Sequence, residues 1–201
     1  TDACGNSVNI VHIINVDDNT APLVTGSLAP VNVEGCNVSA APAAVNTIAA
    51  LEALPGGVSV SDACTPDASL TLSYFDVSAG SCPIVVTRTY TVRDACLNSV
   101  NIVQVINIDD NTAPVVTGAL TPLNVSGCNS AAAPPAVTTV AALEALAGTL
   151  SISDACTSDA SLTVTSSSTS AGICPVVVTR TYTITDACGN FIDRSHTITV
   201  I

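Results

Sequence analysis

The cysteines are the residues of this chain whose type and spacing point most directly to chemistry. Cys4, Cys96 and Cys188 recur at an interval of 92 residues. The other six cysteines show the same interval as the pairs Cys36 and Cys128, Cys64 and Cys156, and Cys82 and Cys174. Structural zinc sites use close pairs such as Cys-x-x-Cys, which the chain lacks, whereas small modules with thin cores are commonly stapled by disulfides. We therefore expect disulfides.

The same interval extends well beyond the cysteines, which makes the chain a tandem array. The segment Cys82–Tyr90 recurs as Cys174–Tyr182 with a single substitution, and Asp-Asp-Asn-Thr-Ala-Pro occurs at residues 17–22 and again at 109–114. Turn-forming residues clustered with a proline mark a boundary. We predict two complete modules, at residues 19–110 and 111–201, preceded by residues 1–18 as the last strand of a truncated module.

Each module is predicted to be a small β-sandwich. Six segments of the first module have the apolar pattern of strands and recur in the second. They lie at residues 23–25, 31–33, 58–61, 70–74, 84–92 and 100–108. Thr47–Leu54, followed by Pro55 and two glycines, has the capping hydroxyl, helix formers and stop signal of a short helix. The expected fold class is all-β, as tandem immunoglobulin-like β-sandwich modules with one short helical segment per module.

Strand direction predicts how the cysteines pair. If a module begins at its lower end and its last strand leaves at its upper end, Cys36 and Cys82 share the upper end while Cys64 and Cys96 share the lower one. The strand between Cys82 and Cys96 would span about 45 Å at roughly 3.3 Å per residue, far beyond the ~6 Å Cα separation of a disulfide. The predicted bonds lie within modules, as Cys36–Cys82, Cys64–Cys96, Cys128–Cys174 and Cys156–Cys188.

Acidic side chains are predicted to meet where one module follows the next. The linker enters the lower end of a module, which also carries aspartates beside its cysteines. Such an oxygen-rich cluster suits Ca²⁺, but the same residue types also form turns by accepting hydrogen bonds from nearby backbone amides, and both readings stay open. The candidate calcium ligands are Asp17, Asp18, Asn19, Asp62, Asp67 and Asp94, and, one repeat later, Asp109, Asp110, Asn111, Asp154, Asp159 and Asp186.

One arginine in each module is predicted to be structural. Arg88 lies on the same strand face as Val86 and Tyr90, and Arg180 occupies the corresponding position in the second module. A charge on an inward face needs a partner. The only acids of the helical segments are Glu52 and Glu144, so the sequence predicts the ion pairs Arg88–Glu52 and Arg180–Glu144.

Composition and motifs argue against several functional classes. The formal net charge is −12, with four arginines and no lysine, which disfavours nucleic acids and anionic membrane surfaces as partners. No apolar stretch approaches the ~20 residues of a membrane span. His12 and His196 do not occupy corresponding positions, and no serine has a recurring base beside it. We expect no enzymatic activity, no cofactor apart from the hypothesised calcium, and no membrane insertion.

Four kinds of segment form a combination that is more specific than any one of them. They are Asp-Ala-Cys-Gly-Asn at residues 2–6 and 186–190, the Asp-Asn-Thr-Ala-Pro linkers, the Cys-Pro-x-Val-Val-Thr-Arg-Thr-Tyr strands and the Ala-Ala-Leu-Glu-Ala-Leu segments. Together they resemble the hyalin-like (HYR-like), immunoglobulin-like repeats of giant secreted surface proteins of Bacteroidota, often labelled gliding-motility-associated adhesins. Leu97 departs from the pattern where Gly5 and Gly189 stand. The resemblance implies an exported protein with many module copies, delivered by the type IX route.

The sequence thus favours a non-catalytic structural repeat of a secreted or cell-surface adhesin or filament, acting as a disulfide-stapled stalk or fibre. Its expected partners are other copies of the module in the same chain, other chains in a filament, and surface glycans or proteins. Two alternatives remain. The module could bind a glycan or a protein through Tyr74–Val77, which becomes Ser166–Thr169 in the second repeat, or it could be a spacer in a larger secreted hydrolase.

Overall fold

The first repeat, residues 19–110, folds into six strands and one short helix in a computed structural model that describes residues 1–201. Its elements are β1 (Leu23–Thr25), β2 (Val31–Glu34), α1 (Ile48–Glu52), β3 (Ser59–Ser61), β4 (Thr71–Ala79), β5 (Ile84–Arg93) and β6 (Ser99–Asp109). Three-residue 3-10 helices follow β2 and β3, at Val38–Ala40 and Asp67–Ser69. Each predicted strand segment contains a strand, and the predicted helix is present.

The second repeat, residues 111–201, forms the same strands and helix in the same order, with one 3-10 helix where the first repeat has two. They are β7 (Val115–Thr117), β8 (Leu123–Val125), a 3-10 helix (Ser130–Ala132), α2 (Val140–Glu144), β9 (Ser151–Ser153), β10 (Thr163–Ala171), β11 (Val176–Thr185) and β12 (Phe191–Val200). The Thr139 hydroxyl caps α2 by accepting a hydrogen bond from the Ala142 amide, as Thr47 caps α1. The all-β class with one short helix per repeat is therefore confirmed.

Each repeat contains a four-stranded and a two-stranded sheet. The larger sheets have the orders β2-β6-β5-β4 and β8-β12-β11-β10, and the smaller ones pair β1 with β3 and β7 with β9. Within the larger sheets, β2 runs parallel to β6 and β8 runs parallel to β12. The register of β2 on β6 sets Glu34 opposite Asp109, at the point where the chain leaves the first repeat.

The described residues divide into two compact units that do not follow the repeat boundary. Unit 1 comprises Thr1–Ala29, Ala44–Phe75 and Arg88–Gln104, and unit 2 comprises Pro30–Ala43, Asp76–Thr87 and Val105–Ile201. Part of the first repeat therefore belongs to the same unit as the whole second repeat. The predicted module boundaries at residues 19–110 and 111–201 stay a prediction.

The core of unit 1 joins its helix to both of its sheets. Leu51 of α1 is fully buried and packs with Val60 of β3 and with Tyr90 and Val92 of β5. The Tyr90 hydroxyl accepts a hydrogen bond from the Val45 amide at 3.3 Å, which satisfies the polar end of an otherwise apolar contact. These β-branched and aromatic residues lie on alternate positions of their strands, as the sequence pattern predicts.

Unit 2 has three clusters of buried apolar residues. The largest repeats the core of unit 1, with Leu143 of α2 packed among Ile152, Tyr182 and Ile184. A second cluster contains Val178, Ile198 and Val200 of the second repeat. The third is formed by first-repeat residues, Val86, Ile106 and Ile108. The last strand of the first repeat is thus buried, although its sequence differs from that of its counterpart and such divergence is typical of an exposed strand.

Residues 1–17 contain no strand, and their large apolar side chains are exposed. The corresponding residues 99–109 form β6, which pairs with both β2 and β5. Val8, Ile10 and Val16 are 81%, 91% and 94% exposed. No strand of the structure pairs with this segment. The assignment of residues 1–18 to a preceding module stays a prediction.

Truncating the helix side chain at the centre of the unit 2 core is expected to destabilise that unit strongly. Leu143 has no exposed surface, so Leu143→Ala should lower the free energy of unfolding by roughly 2–5 kcal/mol through lost burial and the remaining cavity. Ile173→Ala is the control because Ile173 is 91% exposed. Urea unfolding followed by circular dichroism measures both variants, and equal midpoints would contradict the packing described here.

Candidate functional site

Two disulfides join the first repeat to the second within unit 2. Cys36, which follows β2, bonds Cys156, which follows β9, with a Cα separation of 4.8 Å. Cys82, between β4 and β5, bonds Cys188, between β11 and β12, with a Cα separation of 5.3 Å. We call the surrounding residues the junction. Its members are Glu34, Cys36, Cys82, Asp109, Asp110, Asn111, Thr112, Asp154, Cys156, Asp186, Cys188 and Asn190.

The predicted pairing of the cysteines is therefore wrong. Cys36 does not bond Cys82, and Cys156 does not bond Cys188. Strand direction did place Cys36 and Cys82 together, since both line one cavity of about 80 Å³ with Cys156 and Cys188. The facing end of the second repeat brings two further thiols to this place, and the bonds form across the junction. The other predicted bonds, Cys64–Cys96 and Cys128–Cys174, are absent, because these four cysteines, like Cys4, are free and exposed.

Three of the predicted acidic ligands meet at the junction. Asp110 comes from the linker, Asp154 from the loop after β9 and Asp186 from the loop after β11. One carboxylate oxygen of each lies within 4.8 Å of the other two. Asp110 is only 4% exposed and Asp186 only 6%. Loops from three separate segments thus bring three carboxyl groups together, and two of them belong to buried residues.

Hydrogen bonds to backbone amides hold each of these carboxylates in place. The Thr112 amide donates to Asp110 Oδ1 at 3.1 Å. Asp154 Oδ1 accepts from the Cys156 and Thr157 amides. These bonds are the turn chemistry that the sequence allowed as the alternative to calcium. They use one oxygen of Asp110 and leave its second oxygen, Oδ2, buried without a hydrogen-bond partner.

Asn190 connects the linker to the loop after β11. Its Nδ2 donates to the Asp110 carbonyl and to Asp186 Oδ2, both at 2.8 Å, while its amide donates to Asp186 Oδ1. The Cys188 amide donates to the same Asp186 oxygen at 2.8 Å. The disulfide-bonded residues Cys156 and Cys188 therefore donate their amides to the aspartates of the cluster.

A matching cluster lies one 92-residue interval earlier, within unit 1. Asp18, Asp62 and Asp94 also bring one carboxylate oxygen each within 4.8 Å of the others. Asn98 takes the place of Asn190, since its Nδ2 donates to the Asp18 carbonyl at 3.0 Å and to Asp94 Oδ2 at 2.8 Å. Asp18 Oδ2 is again buried without a hydrogen-bond partner. The negative charge of Asp18 also raises the pKa of the exposed Cys64 thiol.

The remaining predicted aspartate ligands do not join either cluster. Asp109 lies beside the sulfur atoms of Cys82 and Cys188, and Asn111 donates to Glu34. Asp67 and Asp159 line separate pockets beside α1 and α2, while Asp17 is outside the Asp18 cluster. Asn19 and Asn111 stay predicted ligands. The sequence thus identified two groups of six candidates, of which the structure brings together three in each.

Sequence reasoning missed Glu34, which organises the linker. Its carboxylate accepts hydrogen bonds from the Asn111 amide at 2.9 Å, from Asn111 Nδ2 at 3.1 Å and from the Thr112 hydroxyl at 3.2 Å. The bond from the Asn111 amide is the main cause that holds the pKa of Glu34 below its usual value. The 92-residue periodicity does not indicate this role of Glu34, because Ser126 occupies the corresponding position in the second repeat.

The predicted ion pairs Arg88–Glu52 and Arg180–Glu144 stay predictions, and each of the four residues makes at least one other contact. The Glu52 carboxylate accepts from the Val60 amide at 2.8 Å, and Glu144 accepts from the Ile152 amide at 2.7 Å, so both acids fix the strand that follows their helix. Arg180 is 8% exposed and donates through Nε to the Ser168 hydroxyl. Arg88, 4% exposed, lies with its guanidinium carbon 5.3 Å from the centre of the Tyr74 ring. Both arginines are buried, as their inward-facing positions predict, and each has a contact on the neighbouring strand.

The histidines and helices offer no further site. His12 is exposed, whereas His196 is buried and its Nε2 lies 3.0 Å from the Thr121 carbonyl oxygen. Neither helix has the length and apolar character needed to cross a bilayer.

Comparisons with known proteins give only weak likenesses. No family model matches the chain, and no curated protein matches it. Among the similar solved structures, human mucin-like protocadherin EC1-2 has a TM-score of 0.32 and 9% identity, covering 89% of this chain and 98% of that one. The extracellular domain of protocadherin GammaB4 has a TM-score of 0.34 and 13% identity, covering 91% of this chain and 34% of that one. Likenesses this weak establish neither a shared family nor a shared function.

Neutralising Asp110 is expected to stabilise the protein when no metal ion is present. Burial is the main cause that raises the pKa of Asp110 above 3.8, and the charges of Asp154, Asp186 and Glu34 add to it. An acid whose pKa is higher in the folded than in the unfolded state destabilises the fold once it ionises, so this cost is absent below the unfolded pKa and complete above the folded one. In EDTA, Asp110→Asn should raise the free energy of unfolding by about 1 kcal/mol at neutral pH.

The pH dependence of this gain in stability tests whether the charge of Asp110 is its cause. The gain from Asp110→Asn should shrink towards zero near about pH 3, where Asp110 is protonated in both states. Denaturant unfolding of the variant and the parent at several pH values measures this difference. Asp159→Asn is the control, since Asp159 lies outside the cluster. A gain that is independent of pH would show that the charge of Asp110 is not its source.

Proposed function

We propose that this chain is part of a non-catalytic structural array of an extracellular adhesin or filament, in which successive modules are bonded to one another by disulfides. The observation that carries the proposal is the pair of bonds across the junction, Cys36–Cys156 and Cys82–Cys188. A covalent bond between modules transmits tension from one module to the next, which is what a stalk or fibre needs. Disulfides of this kind persist in oxidising environments, so a secreted or cell-surface location fits the proposal.

The unbonded cysteines extend the same pattern beyond the two repeats. Cys64 and Cys96 correspond by the 92-residue interval to Cys156 and Cys188, while Cys128 and Cys174 correspond to Cys36 and Cys82. The exposed thiols thus occupy the positions that form bonds at the junction. In a longer array with this spacing, Cys64 and Cys96 would bond a module that precedes residue 19, and Cys128 and Cys174 would bond a module that follows residue 201. The partners proposed here are therefore further copies of the same module.

A second candidate function is recognition through the edge strand β4. Tyr74, Phe75 and Val77 are 52%, 55% and 57% exposed, and β4 is the last strand of its sheet. Exposed aromatic side chains on a sheet edge suit a glycan or an extended peptide. The corresponding residues of β10 are serines and a threonine, so only the first repeat would bind such a ligand. A glycan array probed with the parent and with Tyr74→Ser/Phe75→Ser tests this candidate.

Pulling the 201-residue chain by its two ends tests the mechanical role of the disulfides. With both bonds intact, the shortest covalent path passes through Cys36–Cys156 and bypasses a segment with a sequence separation of 120. Reduction should therefore lengthen the fully extended chain by about 400 Å, at roughly 3.3–3.6 Å per residue. Force spectroscopy in oxidising and reducing buffers measures the increment.

Matched variants distinguish the two disulfides from each other and from the pairing within modules that the sequence predicts. Cys36→Ser/Cys156→Ser leaves only Cys82–Cys188, whose sequence separation is 106, so the increment should fall to about 350–380 Å. Cys128→Ser/Cys174→Ser removes two free thiols and should leave the parent increment unchanged. Bonds within repeats would give a clearly smaller increment in the parent, and that result would overturn the proposal. An intact mass of the native secreted protein equal to that of two modules would count against the longer array.

A further inference from the structure

The acidic cluster of the junction contains a buried carboxylate oxygen without a hydrogen-bond partner. This atom is Asp110 Oδ2, which is buried and accepts no hydrogen bond. The residue as a whole is only 4% exposed. The chain has no lysine, and Arg180 and Arg194 donate to groups outside the cluster. Buried carboxylates without a partner are costly and are normally paired, protonated or bound to a metal ion. The cluster thus has the electrostatic character of a cation site.

The spacing of the oxygen atoms fits one ion. Ca²⁺ binds protein oxygens at 2.3–2.6 Å, so two oxygens on the same ion are at most about 4.6–5.2 Å apart. One oxygen from each of Asp110, Asp154 and Asp186 meets this limit, since the three lie within 4.8 Å of one another. The amide bonds to Asp110 and Asp154 orient these carboxylates without occupying all of their lone pairs.

The chemistry of the donors selects a hard cation. All three donors are carboxylate oxygens, which suit Ca²⁺ and Mg²⁺, whereas Zn²⁺ and Cu²⁺ prefer nitrogen and sulfur donors. The nearby sulfur atoms of Cys82 and Cys188 are engaged in a disulfide with each other, so no thiolate competes. The adjoining cavity of about 80 Å³, which Asp110 lines, leaves room for the waters that complete the coordination shell.

We propose that Asp110, Asp154 and Asp186 bind one divalent cation, preferentially Ca²⁺, and that the ion fastens the linker to two loops of the second repeat. Asn190 positions the site by holding the Asp110 carbonyl and the Asp186 carboxylate together. The proposal depends on the junction geometry and not on the adhesin function, so either can fail without the other. The more exposed Asp18 cluster, one 92-residue interval earlier, is its counterpart, and we expect it to bind the same ion more weakly.

Calcium titration of the oxidised 201-residue chain tests the site. After treatment with EDTA, isothermal titration with CaCl₂ should reveal one tighter site, and saturating Ca²⁺ should raise the melting temperature by about 5 °C. Mg²⁺ should bind at least 10-fold more weakly, because it demands a compact octahedral shell. No heat and no change in melting temperature at millimolar Ca²⁺ would overturn the proposal.

Single-residue variants assign the ion to these residues. Asp110→Asn, Asp154→Asn and Asp186→Asn should each weaken the tighter site at least 10-fold. Asp18→Asn changes the equivalent residue one 92-residue interval earlier, and Asp159→Asn changes a predicted acid outside both clusters, so both should leave the tighter site intact. Thiol titration and circular dichroism verify that each variant keeps its fold and its two disulfides. Loss of the tighter site in Asp18→Asn, or its retention in Asp110→Asn, would refute the assignment.

Discussion

The covalent bonds between the two repeats are the constraint on which the rest of the junction depends. Each repeat has a core built from small and β-branched side chains around one tyrosine and one short helix. Such a core buries little apolar area, and small domains of this kind commonly rely on cross-links. Here the cross-links are placed between repeats. Part of the first repeat is thereby included in the same compact unit as the second.

The cross-links also determine where charge can accumulate. Asp154 and Asp186 accept hydrogen bonds from the amides of Cys156 and Cys188, the second-repeat members of the two disulfides. Closing the bonds therefore fixes two carboxylates beside the linker, and Asp110 becomes buried against them. Repulsion among these acids opposes the closure, and the disulfides hold the junction together against it. Glu34 of β2 also holds the linker in place, because its carboxylate accepts a hydrogen bond from the Asn111 amide.

The sequence predicted the local elements well because their signals are local. The capping hydroxyl of Thr47, the strand alternation of Val86, Arg88 and Tyr90, and the linker aspartates all have the placement that short-range pattern implies. The prediction of the disulfide partners failed because the chain is periodic. Cys64 and Cys156 are equivalent in sequence, and only their tertiary position tells which of them faces Cys36. Strand direction places Cys64 and Cys36 at opposite ends of a module, and this arrangement lets Cys36 reach the next copy. Glu34 could not be predicted, because its role depends on a parallel register between β2 and β6.

The long reach of the disulfides has a consequence for biogenesis. A polypeptide is synthesised from its N-terminus, and its domains generally fold in the order in which they emerge. Cys36 cannot meet its partner until a further 120 residues are available, and Cys82 must wait for a further 106. Each module would therefore be left with unpaired thiols until its successor has folded, and oxidation would advance along the polypeptide one step behind folding. An enzyme that introduces disulfides would then have to act on docked neighbours, and the leading copy would remain reactive until the following one arrived.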